Sequence, residues 1–181
     1  AALAAGCAAS PVPRYYRLVA EVPAATPAVA PVTAVIGPFA MAEYLARPQI
    51  VSAAGGNRLQ IDDYERWAEP LDANFQAVVA ANVGRLLGSD RVLEFPARAI
   101  LAADQRVSGR IVRFDVDARG EAVLEVQWGV VDAAGDVRQP GRVSRYAATA
   151  AGGAMAARVA ALNATVTAFS YDVAAALGAA P

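Results

Sequence analysis

The stretch Ile111-Val112-Arg113-Phe114-Asp115-Val116-Asp117-Ala118-Arg119-Gly120-Glu121-Ala122-Val123-Leu124-Glu125-Val126-Gln127-Trp128 decides the fold class, because its hydrophobic period is two. Val112, Phe114 and Val116 alternate with Arg113 and Asp115, and Leu124, Val126, Trp128 and Val130 alternate with Glu125 and Gln127. Such alternation puts successive side chains on opposite faces of a strand. With Gly120 and Gly135 marking turns, residues 107–146 read as an antiparallel meander with one covered face.

Working outward, the period lengthens on both sides. Pro70 suits the start of a helix whose Leu71, Phe75, Val78, Val79 and Leu86 share one face, and Gly88 is placed to stop it. Met155, Val159, Leu162, Val166, Phe169, Val173 and Leu177 recur three or four residues apart, which specifies a longer helix with a single apolar stripe for the domain's own sheet. Tyr15 to Val19 reads as a short strand, and Val32 to Ile36 as a buried one closed by Gly37-Pro38. A helical turn is expected within 41–46. Gln49-Ile50-Val51 and Arg58 to Ile61 flank Ala54-Gly55-Gly56-Asn57 as a hairpin, and Val92, Leu93 and Phe95 before Pro96 suggest an edge strand. Pro23, Pro27 and Pro31 make the segment around them a loop. The whole predicts one α/β domain with a mixed sheet, an antiparallel meander and two main helices.

The inventory of side chains excludes much chemistry. The 181 residues include no histidine, and all sixteen basic residues are arginine. Imidazole bases, histidine-ligated metals, lysine Schiff bases and the P-loop lysine are therefore unavailable. The arginines are interleaved with seventeen acids and form no basic stripe, so nucleic-acid binding is not expected. Asp62-Asp63 and the Asp115/Asp117 pair are the nearest approach to a catalytic carboxylate set. Adjacent acids on a strand point apart, and acids at a hairpin mouth are commonly solvated. We expect no enzyme, no cofactor and no metal site.

The single cysteine, Cys7, follows Leu3-Ala4-Ala5-Gly6 and precedes Ala8-Ala9-Ser10, which looks like a bacterial lipobox with its leucine four residues before the cysteine where three is commoner; the alternative is a leftover secretory signal cut elsewhere. Residues 1–14 then read as a lipobox remnant and tether and 15–181 as the folded domain, with a covalent lipid expected on the Cys7 thiol. Acyl chains contribute about 0.8 kcal/mol per buried methylene, so two or more of them anchor a domain stably.

Three motifs carry a family resemblance: Ile36-Gly37-Pro38-Phe39, Glu43-Tyr44-Leu45-Ala46-Arg47-Pro48-Gln49-Ile50-Val51, and Tyr64-Glu65-Arg66-Trp67-Ala68-Glu69-Pro70-Leu71. Together with Tyr16-Arg17-Leu18, Arg113-Phe114-Asp115 and Leu124 to Trp128, they resemble the PqiC-like family of ABC-type transport auxiliary lipoproteins. The resemblance implies an N-terminal lipidated cysteine and a single three-layer α/β domain around a mixed sheet. It also implies a periplasm-facing accessory lipoprotein, usually outer-membrane-anchored, that serves a lipid transporter with mammalian-cell-entry (MCE) domains. Ala8 stands where aspartate would favour inner-membrane retention, which suits the outer membrane. The partners so implied are MCE-domain transporter subunits, the membrane through the anchor, and further copies of the chain, since some relatives form rings. The alternative is a structural lipoprotein of an outer-membrane assembly with no transporter role. Tyr44, Arg47 and Trp67 are the candidate partner contacts, because aromatics and arginine anchor interfaces. Each also has a structural use: Arg47-Pro48 can end a turn, and Trp67 can fill space above the helix that follows.

Overall fold

The computed structural model describes residues 11–24, 32–96 and 103–178. Cys7, most of the tether, and Pro27 and Pro31 lie outside the described residues.

The meander forms as its alternation requires. Strands β6 (Gln105–Val116), β7 (Glu121–Asp132) and β8 (Val137–Thr149) pair antiparallel. Both turns use the same device. In the first, the Asp117 carboxylate accepts from the amides of Arg119 and Glu121 at 2.8 and 2.9 Å, and Gly120 takes φ +85°. In the second, Asp132 accepts from Ala134 and Asp136 at 3.0 and 2.9 Å, and Gly135 takes φ +89°. Preceding strands β2 (Ala34–Met41) and β5 (Val92–Glu94) join in parallel, giving the order β5-β2-β6-β7-β8. β5 is at the edge, as the proline after it requires.

A second mixed sheet, β1-β4-β3, is built from β1 (Arg14–Tyr16), β3 (Gln49–Ala53) and β4 (Leu59–Trp67). The strands thus divide between two sheets. Helices α1 (Leu71–Leu87) and α2 (Met155–Gly178) pack side by side on the five-stranded sheet, and β3 abuts β6. α1 stops at Gly88, which takes φ +58° and bonds back to Gly84 and Arg85 carbonyls. The predicted stripe of α2 is buried from Val159 to Leu177. Phe75, Phe114, Phe169, Trp128 and Trp67 meet at centroid separations of 5.3–6.3 Å with Phe39 and Tyr146, tying both helices and both sheets into one core.

Three local expectations are corrected. The strand after Val32 does not close at Gly37-Pro38 but continues to Met41 through a register shift between Ile36 and Phe39. Pro38 has no N–H for the ladder, and the Gln76 side chain of α1 takes the Phe39 amide instead, at 3.2 Å. On β6, Val112 is exposed while Ile111 is buried, and a second shift between Ile111 and Arg113 changes the phase, so Val107 and Ile111 face the core before it and Phe114 and Val116 after it; Asp115 keeps the face opposite Phe114, and that face is buried as well. The first strand covers Arg14–Tyr16 and does not reach Val19.

That last difference has a physical reason. From Leu18 to Val22 the chain leaves the sheet and lies against the helix pair, so its backbone needs partners other than a strand. Asparagines supply them. Asn74 accepts from the Leu18 amide at 2.7 Å and donates to the Leu18 carbonyl at 3.3 Å. Asn163 accepts from Val19 at 2.8 Å, Asn82 from Val22 at 3.3 Å, and Arg85 donates to the carbonyls of Ala20 and Val22. The amide side chains act as a surrogate strand, and Leu18 and Val22 are buried beneath it.

Candidate functional site

Four segments converge on a groove of about 670 Å³. Tyr15 comes from β1, Met41 from the end of β2, Leu45 to Pro48 from the turn after it, and Trp67 to Asp72 from the end of β4 and the first turn of α1. The bed is apolar. Leu45 and Leu71 are buried side chains, and Trp67, 6 % exposed, forms part of the floor and stacks on Phe114 behind it. Two backbone bonds hold the walls in register: Trp67 donates to the Pro48 carbonyl at 2.7 Å and Ala68 to the Tyr16 carbonyl at 2.8 Å.

Charge is confined to the rim. Arg47 is exposed, and among the described residues it makes no ion pair; the same is true of Glu69 and Asp72. A groove with a greasy floor and unpaired charges of both signs at its mouth suits binding. It lacks a positioned nucleophile–base pair, and no cluster of potential metal ligands occurs among the described residues.

The three sequence candidates separate. Arg47 and Trp67 line the groove together, whereas Tyr44 does not. Tyr44 lies in the 3-10 turn Glu43–Leu45, and burial followed by the neighbouring Asp115 charge pushes its phenol above the usual value. Asp115, expected at a solvated hairpin mouth, is instead 3 % exposed and held in a fork by Arg113, with N···O distances of 2.9–3.1 Å. This part-buried pair lies beside Tyr44 of the turn and does not offer a free acid. Its charge is fully engaged within the pair.

Beside the groove, Glu65 is buried next to Trp67 on β4 and pairs with Arg14 of β1. That pair pins the point where the N-terminal segment enters the domain. Sequence reading missed Tyr15 and Met41 as groove residues and Arg14–Glu65 as a clamp. β1 to β4 pairing is separated by some fifty residues in the chain, and nothing local reports it. It missed the asparagines too, although Asn74 and Asn82, eight residues apart on α1 and both buried, are a signal once the strap's backbone groups need partners.

The family of ABC-type transport auxiliary lipoprotein components matches residues 16–174. The chain belongs to that family. Among solved structures it is similar to an uncharacterised protein at 19 % identity and TM-score 0.75, covering 91 % of this chain and 98 % of the other. It is also similar to protein XCC0632 from Xanthomonas campestris, at 18 % identity and TM-score 0.72, covering 89 % and 92 %. At those identities the likeness is one of fold. PelC from Paraburkholderia phytofirmans, crystallised as a dodecamer, is a more distant likeness at 19 % identity and TM-score 0.47 over 92 % of this chain and 96 % of the other. No curated protein matches the chain. The family assignment agrees with the resemblance read from the motifs, and it makes this chain an auxiliary lipoprotein component of a transport system.

Proposed function

We propose that this auxiliary lipoprotein is anchored through acyl groups on Cys7 to the periplasmic face of the outer membrane, where it serves an MCE-type lipid transport system. It acts by binding and positioning the transporter's MCE-domain subunits, alone or as a homo-oligomer, and carries out no catalysis. The observation that carries this reading is the family match across residues 16–174, with the lipobox immediately upstream of it. The groove adds a binding surface to it: Arg47 stands exposed at a rim beside a buried tryptophan floor. No helix among the described residues is long and apolar enough to cross a membrane, so the lipid is the attachment this reading requires.

Membrane fractionation of cells carrying Cys7→Ala tests the anchor. The variant is expected folded in the periplasmic fraction while the native chain floats with outer-membrane lipids. Retention of Cys7→Ala in the outer membrane contradicts the lipid attachment, and native chain in the inner membrane contradicts the assigned face.

A further inference from the structure

We infer that the groove between β1, the 43–48 turn and the start of α1 is a binding site for a single-chain zwitterionic phospholipid. The inference rests on the anchoring just proposed and deepens it, because it gives the domain a lipid contact beyond its own anchor.

Two observations favour this occupant. The first is reach. Tyr15 lines the groove, and Cys7 lies eight residues before it. At about 3.3–3.6 Å per extended residue, an acylated Cys7 keeps the groove within about 26–29 Å of the bilayer surface. The tether is therefore short enough to keep the mouth within reach of lipids leaving the bilayer. The second is charge. Arg47 supplies a guanidinium able to bind a phosphate in a fork, and Glu69 and Asp72 supply two carboxylates for an ammonium group. A fatty acid would satisfy Arg47 and leave both acids facing its carboxylate. A lipid carrying phosphate and amine satisfies both signs. Between them, Met41, Leu45, Trp67 and Leu71 offer the apolar bed for one hydrocarbon chain, and a volume of about 670 Å³ falls within the range of roughly 300–1,000 Å³ found for small-ligand sites.

Trp67 makes the test direct, since the only other tryptophan, Trp128, is 1 % exposed in the core between β7 and α2. The full chain carrying Cys7→Ser is titrated with lysophosphatidylethanolamine bearing a brominated acyl chain, below its micelle concentration. Saturable quenching of tryptophan emission is expected, and Trp67→Phe should remove the quenched component. Arg47→Gln should weaken binding about tenfold for this lipid and for brominated lysophosphatidylglycerol alike. Glu69→Gln with Asp72→Asn should weaken binding of the amine-bearing lipid alone. Absence of saturable quenching, or quenching indifferent to Trp67→Phe and Arg47→Gln, overturns the proposal. So does emission that ignores lipid and responds only to a purified MCE-domain subunit, which would give the groove to a protein. The titration uses a chain that cannot be acylated, so its result is independent of whether native Cys7 carries lipid.

Discussion

Replacing Asn74 with alanine removes one side chain that satisfies two backbone groups at once. The Leu18 amide and carbonyl both bond to it, at 2.7 and 3.3 Å, and Leu18 is 1 % exposed, so water does not replace the lost partner without opening the strap from Leu18 to Val22. Leaving a buried donor or acceptor unpaired costs about 1–3 kcal/mol. Two such groups give about 2–5 kcal/mol, because the longer carbonyl bond is the weaker of the two. In a chain of this length each kcal/mol lowers the melting temperature by about 2–4 °C, so Asn74→Ala should melt about 4–20 °C below the native protein. Differential scanning calorimetry measures the loss, and limited proteolysis locates it, with new cleavage expected within residues 17–22. Asn82→Ala should cost less at Val22, whose bond to Asn82 is already long at 3.3 Å. A loss below about 1 kcal/mol for Asn74→Ala, with the strap still resistant to protease, refutes the idea that asparagines stand in for a strand there.

Other expectations follow from single contacts. Gly109→Ala would press a methyl group onto the Gln127 carbonyl and to 2.9 Å from the Trp128 Cα, both backbone atoms of the neighbouring strand, so urea titration should show a loss of about 1–3 kcal/mol or more. Burial, followed by its bond to Asp172, pushes the Tyr146 phenol up. Its protonated form is thereby favoured in the folded state, so the contribution is full below about pH 10, the unfolded value, and is lost as pH rises through the folded one. Stability measured above pH 10 should therefore fall less steeply for Tyr146→Phe than for the native chain. Asp132 is held below the ordinary carboxylate range by the Asp136 amide first, with the Ala134 amide and Arg138 adding to it. Its stabilisation is present above about pH 4 and lost as pH falls through the lowered value. The stability difference between native protein and Asp132→Asn should be visible at pH 7 and shrink toward pH 2.

Much of the architecture is written locally. Period-two alternation specifies β6 and β7, the three-and-four spacing specifies the buried face of α2, and Gly88, Gly120 and Gly135 sit where positive φ is needed. What local pattern does not carry is phase and pairing. A one-residue shift at Ile111–Arg113 leaves Val112 exposed and brings Phe114 and Val116 onto the core face of Ile111, and no alternation rule detects the extra residue. Gly37-Pro38 reads as a stop because the missing N–H is local, whereas the Gln76 side chain that lets β2 continue comes from another element. The division into two sheets depends in the same way on β1 pairing with β4 across some fifty residues. For the site, Arg47 and Trp67 were legible as an exposed cation and a large aromatic in family motifs. Their meeting in one groove was not, since Trp67 ends β4 and Arg47 follows β2. Tyr44 illustrates the opposite outcome: its position in the same motif suggests a surface contact, and the fold turns its ring toward the Arg113–Asp115 pair.

Affinity purification of the native, tagged chain from mildly solubilised membranes probes the account most directly. The transporter-accessory reading predicts that an MCE-domain subunit is recovered with it, and that Cys7→Ala loses this partner. Recovery of outer-membrane assembly proteins with no MCE-domain subunit would contradict it and assign the chain to a structural role.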